Sequence, residues 1–103
     1  MTEAELLEHV RQTALGLGLL AVHRRDSRRD TGWSAGFPDV VIASPRGRGL
    51  LIAELKSAGG QRSRPQQQWR RALEATTDRP VPLLWRPADW DSGEIHARLS
   101  LLA

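Results

Sequence analysis

From residue 3 to residue 16 apolar side chains recur at helical intervals, Leu6, Leu7, Val10 and Ala14, behind a Thr2 that suits an N-cap and with acids in the first turn. This spacing predicts an amphipathic helix that Gly16 and Gly18 end. LLAVH, 19 to 23, then reads as a short buried strand, followed by an arginine-rich loop that Trp33 and Gly36 close. PDVVIAS, 38 to 44, and GLLIAELK, 49 to 56, are β-branched or leucine-rich runs, and the intervening PRGRG predicts a β-hairpin. After the flexible connection SAGGQRSR, a second helix is expected to begin near Pro65 and continue through QQQWRRALEATT. VPLLW, 81 to 85, is a last strand, and RPADWDSGEIHARLSLLA is expected to end in a short helix. The order α-β-β-β-α-β-α predicts an α/β fold with a mixed central sheet flanked by helices. At 103 residues it fits one domain over 1–103.

Composition narrows the chemistry. The absence of Cys rules out disulfides and thiolate metal sites, so a bound metal would be held by Asp, Glu, His or backbone oxygens. No apolar run approaches the roughly 18 residues of a membrane span, and MTEAELLEHV is acidic and amphipathic rather than a basic leader. A soluble, cytoplasmic protein without membrane partners is the expectation. The net charge is +3, with fourteen arginines and a single lysine, Lys56. Arginines cluster in HRRDSRRD, PRGRG and QRSRP, where guanidinium groups including Arg62 and Arg64 could reach phosphates; charge alone fits a solvated surface equally well.

If the hairpin is symmetric about Arg46 and Gly47, Asp39 falls opposite Glu54. Directly opposed residues have β-carbons about 4.5 to 5.5 Å apart, and Mg²⁺ takes oxygens at about 2.0 to 2.1 Å, so one ion fits between the two carboxylates. Without a cation the pair would repel. Strand alternation puts Lys56 on the same face as Glu54, while the Leu55 carbonyl offers a third oxygen. Such a set suits phosphodiester hydrolysis, with Lys56 orienting a nucleophilic water or meeting charge on the leaving oxygen. An ordinary ion pair at the end of a strand is the alternative for an isolated E-x-K triplet.

The motif is composite, however. Pro38-Asp39 before one strand and Glu54-Leu55-Lys56 ending its partner, in an αβββαβ order, resemble the PD-(D/E)xK nuclease superfamily. GFPDVVIA, AELKSAGG, SRPQQQW and LLWRPADW together are similar to its VRR-NUC family, from about residue 3 to residue 100. The resemblance implies a restriction-endonuclease-like core and a divalent cation, Mg²⁺ or Mn²⁺, on Asp39, Glu54 and the Leu55 carbonyl. It further implies that Lys56 assists the attacking water and that Gln66 supports the site. Helical phase agrees on Gln66, which shares a face with Trp69 and Leu73; a polar residue at a helix start is the plainer reading. Relatives also use a carboxylate near the start of the first helix. Glu3, in line with Leu7, Val10 and Ala14, is favoured as that metal ligand over Glu5, with a simple helix-dipole role open for both.

The segment after His23 resembles the stretch that precedes G-x-P-D in the family, which implies that Arg24, Arg25, Ser27, Arg28 and Arg29 contact DNA backbone and that Trp33 caps the site or stacks on a base. His23 itself is expected to be a strand-end residue satisfied by backbone. Trp69, Trp85 and Trp90 are expected in the core or an interface. The implied activity is a metal-dependent endonuclease acting on branched or structured DNA, similar to a Holliday-junction resolvase, in DNA repair or recombination. Family and size imply a homodimer that would supply paired sites. The alternatives are a DNA-binding module that keeps the fold without catalysis, and the nuclease subunit of a restriction or repair assembly.

Overall fold

The computed structural model describes residues 1–23, 35–75 and 82–103. The first helix, α1, spans Glu3–Gly16 and begins with a reciprocal cap: the Glu5 amide donates to the Thr2 hydroxyl at 3.1 Å and the Thr2 amide to the Glu5 carboxylate at 3.0 Å. Its end uses the predicted glycine. Gly18 takes φ +74°, its amide donates to the Leu15 carbonyl, and the Leu19 amide reaches back to the Ala14 carbonyl. Leu6, Val10 and Ala14 form the buried stripe.

Four strands make one sheet in the order β1-β2-β3-β4, with β1 Leu20–His23, β2 Val40–Ala43, β3 Leu50–Leu55 and β4 Pro82–Trp85. The first three run antiparallel, and β4 joins β3 in parallel. The second helix, α2 (Arg64–Glu74), lies between β3 and β4 in sequence, and two short helices, α3 (Pro87–Asp91) and α4 (Glu94–Ser100), close the chain. The resulting α/β architecture, a mixed four-stranded sheet flanked by helices, is compatible with the expected αβββαβ core. The closing segment forms two helices rather than one because Gly93, at φ +85°, turns the chain between them.

The β2–β3 register pairs Val40 with Ala53 and Ile42 with Leu51. Alternation then sorts the sheet's two faces. Val40, Ile42, Leu51, Ala53 and Leu55 face one way and join Leu6, Val10, Ala14, Ile95 and Leu99 in the core, so α1 and α4 cover that face. Asp39, Val41, Ile52, Glu54 and Lys56 belong to the other. The expectation that residues 19 to 23 form a buried strand is corrected. Leu19 is buried, but all four residues of β1 are exposed, because among the described residues β1 lies at the sheet's edge and pairs with β2 alone. Among the described residues no helix is long and apolar enough to cross a membrane.

The loop before β2 is fastened to the start of α2. Phe37 meets Trp69 edge-on with ring centroids 4.9 Å apart, and the Trp69 indole donates to the Ala35 carbonyl at 2.9 Å. Gly36, at φ +82°, lies so close to α2 that a β-carbon there would fall 2.6 Å from the Gln66 nitrogen and against the Pro65 carbonyl carbon. Gly36→Ala should therefore cost about 3 kcal/mol or more, from the left-handed backbone plus a clash with main chain that cannot move aside. Gly16→Ala, where a β-carbon meets nothing within 4 Å, should be neutral or stabilise by about 0.5 kcal/mol. Urea denaturation of the two variants measures the contrast, and equal stabilities would remove Gly36 from its spacing role.

Candidate active site

Asp39 lies one residue before β2, and the observed register carries it opposite Glu54, as the symmetric hairpin predicts. Its Oδ2 accepts the Leu55 backbone N–H at 2.8 Å, so the side chain extends the β2–β3 ladder by one bond. This bond fixes one carboxylate oxygen and leaves the second for other partners.

Glu54 is only 1 % exposed in the middle of the sheet, flanked by Asp39 on one side and by Leu84 of β4 on the other. Burial pushes its carboxyl above the ordinary carboxylate range, the hydrogen bond and charge of Arg62 pull it down, the Asp39 charge adds to the rise, and the Lys56 charge opposes it. The Arg62 Nε donates to Glu54 Oε2 at 2.7 Å, with the Arg62 side chain 14 % exposed. Sequence reasoning expected Arg62 to face phosphate. In the structure one of its nitrogens is committed to the buried carboxylate, and no signal in QRSRP announces that pairing across the connecting segment.

Lys56 follows β3, its backbone N–H bonded to the Trp85 carbonyl at 3.0 Å, and its half-buried side chain shares the Glu54 face. A side chain at Gly60 would meet its stem: a β-carbon there would lie 3.4 Å from Lys56 Cδ and 3.5 Å from Cβ. Gln66 is buried, as its helical phase predicts, but its Oε1 accepts the Ser63 amide at 2.8 Å while the Ser63 hydroxyl accepts the Gln66 amide at 3.3 Å. This is a capping box at the start of α2, so the carbonyl end of Gln66 serves the helix. Ser-x-x-Gln in SRPQ carried that signal.

Glu3 is the clearest departure. It is exposed on a helix that covers the opposite face of the sheet, and among the described residues no group of three or more His, Cys, Asp or Glu could hold a metal ion. The expected ligand set therefore narrows to Asp39, Glu54 and the Leu55 carbonyl. These are oxygen donors on adjacent strands, of the chemical class that Mg²⁺ or Mn²⁺ would take, and the Arg62 guanidinium already meets one of them. Arg64 is exposed in the first turn of α2, while Arg24, Arg25, Ser27, Arg28, Arg29 and Trp33 lie outside the described residues.

One neighbour escaped sequence reasoning. Arg86, just past β4, donates from Nη1 to the Ser57 carbonyl at 2.8 Å and the Ala58 carbonyl at 3.3 Å. With Arg62, Gly59, Gly60, Gln67 and Leu84 it borders an open cleft of about 350 Å³ beside Glu54 and Lys56. No protein-family model, curated protein or solved structure matches the chain.

The Glu54–Arg62 pair sets a pH dependence. Because the folded-state affinity of Glu54 for a proton is raised, its contribution to stability is fully present below the ordinary value of 4.5 and is lost as pH rises through the higher folded value. Removing Arg62 widens that window, since the carboxylate then lacks its partner. Arg62→Met in EDTA should cost about 3 kcal/mol at neutral pH and clearly less at pH 4, where Glu54 is protonated. Urea titrations across this range check it; a destabilisation independent of pH would contradict the pairing.

Proposed function

We propose that the chain is a divalent-metal-dependent endonuclease that hydrolyses phosphodiester bonds in structured or branched DNA and recognises shape and backbone rather than sequence. The reading is carried by one observation: the β2–β3 register sets Asp39 opposite Glu54, with Lys56 on the same face of the sheet. Two carboxylates on adjacent strands and a neighbouring amine suit metal-assisted hydrolysis of a phosphate diester by water.

Asp39 and Glu54 supply oxygen ligands, and the ladder bond from Leu55 keeps Asp39 from rotating away. A cation bound there would polarise the phosphoryl group and lower the pKa of a bound water. Lys56 offers a compact ammonium to orient that water or to meet charge on the departing oxygen; an arginine would present a rigid planar fork instead. Recognition falls to arginines acting on phosphate, and a homodimer would set two such sites against a junction of matching symmetry.

A second reading has an observation of its own. Arg62 already meets the charge of Glu54, and the site gathers only two acidic side chains among the described residues, as a DNA-binding module without catalysis would tolerate. Service as the nuclease subunit of a repair or restriction assembly is compatible with the catalytic reading.

A panel of labelled junctions, flaps, duplexes and single strands, incubated with Mg²⁺ or Mn²⁺, separates the readings. The nuclease should cut at least one and stop in EDTA. Asp39→Ala and Glu54→Ala should abolish cleavage while keeping salt-sensitive DNA binding. Lys56→Arg, which preserves charge, should slow cleavage by about a hundredfold. An uncut panel supports the binding module, and near-normal rates in Lys56→Arg defeat the role given to the lysine.

A further inference from the structure

The cleft beside Glu54 has a composition of its own. Two arginines, two glutamines, a leucine and the Ala58-Gly59-Gly60 backbone border it, and among the described residues no acidic side chain does. Leu84 pairs with Glu54 in the β3–β4 register, so the cleft opens on the same face of the sheet as the two carboxylates.

Its rim is built rather than incidental. Residues 57 to 60 form a turn closed by the Gly60 amide on the Ser57 carbonyl at 3.2 Å, and the Arg86 guanidinium ties down the carbonyls of Ser57 and Ala58. Both carbonyl bonds use Nη1, one of three nitrogens on a group that carries five donors. Arg62 is likewise held, by Nε on Glu54, at the other side of the cleft. Two held guanidinium groups that border a cleft with no carboxylate among its described lining residues make a receptor for an anion with several acceptor oxygens. The glycines keep the rim low: a β-carbon on Gly59 would meet nothing within 4 Å.

We propose that this cleft binds a backbone phosphate of the DNA strand next to the one at the Asp39–Glu54 site, with Arg86 as its principal ligand and Arg62 bridging the two positions. The inference rests on the reading of the chain as a protein that acts on DNA, and it deepens that reading by assigning the strand's path. The strand crosses the C-terminal ends of β3 and β4, from Lys56 toward Arg86. Arg62 reports on both positions, since its fork faces the buried carboxylate and the incoming phosphate.

The test is DNA binding in EDTA, where nothing is cut, read by fluorescence anisotropy on a labelled four-way junction and a duplex at several salt concentrations. Arg86→Gln removes the charge. Gly59→Asp adds an opposing charge on a backbone that accepts a side chain, and it carries the test alone if the substitution of Arg86 disturbs the fold. Each variant should bind about tenfold more weakly, and the slope of log affinity against log salt should fall by about 0.9 for each phosphate no longer neutralised. Wild-type affinity and slope in a folded Gly59→Asp would overturn the proposal. So would weakened binding of inorganic phosphate or a mononucleotide with DNA binding unchanged, which would assign the cleft to a free phosphate. A protein that binds DNA through the cleft but cuts none fails the nuclease reading and upholds this one; a nuclease whose variants bind normally does the reverse.

Discussion

A carboxylate that is 1 % exposed in an inner strand is the constraint around which this face of the sheet is arranged. Withdrawing Glu54 from water costs several kcal/mol, and Asp39 on the next strand adds repulsion. The Arg62 guanidinium offsets part of this at 2.7 Å, and the Asp39 charge is eased by the Leu55 amide at 2.8 Å. Well-packed apolar residues of the same volume would stabilise such a position at least as well as a buried ion pair does. A hairpin whose other β3 positions are Leu, Ile and Ala had that option. Stability therefore gives a weak account of the acid at position 54, and a role in binding or chemistry gives a stronger one.

The same constraint explains why the loop before β2 is docked so closely on α2. Asp39 is positioned by the β-ladder on one side and by residues 35 to 38 on the other, and those residues are fastened to α2 through the Trp69 indole, the Phe37 ring and the close approach of Gly36. The capping box of Ser63 and Gln66 fixes where α2 starts, two residues after Arg62. Packing, capping and the ion pair thus act on one short stretch of chain, so the positions of Asp39 and Arg62 are mechanically linked. A displacement at the start of α2 would be felt at both carboxylates.

The site's backbone was legible because strand pairing obeys a strict arithmetic: once the turn is centred between Arg46 and Gly47, the register and the opposition of Asp39 to Glu54 follow. Helix α1 was equally legible, through periodicity and its terminal signals. What was not legible depended on which layer an element joins. Helical phase identifies the inward stripe of α1, but says nothing of which face of the sheet the helix will cover, and Glu3 falls outside the site for that reason. The apolar LLAVH looked buried because edge position is a property of the whole sheet. Gln66 shows a different limit: the Ser-x-x-Gln pattern was present, and a helix cap and a site residue share the same sequence cue.

The distribution of cations follows from these geometries. Arg62 and Arg86 are each immobilised at one nitrogen, on a carboxylate and on two carbonyls, a use that suits a planar group able to bond in several directions at once. Lys56 follows β3 with a half-buried side chain, and its single terminal charge can turn through its three donors. A fixed fork suits an anion whose position is constant, such as a strand phosphate. A pivoting point charge suits a partner whose charge and place change during a reaction, as an attacking water and a departing oxygen do. On that physical distinction, and under the proposed function, the lone lysine among fourteen arginines would stand where the bond breaks, with Arg62 and Arg86 along the path of the strand.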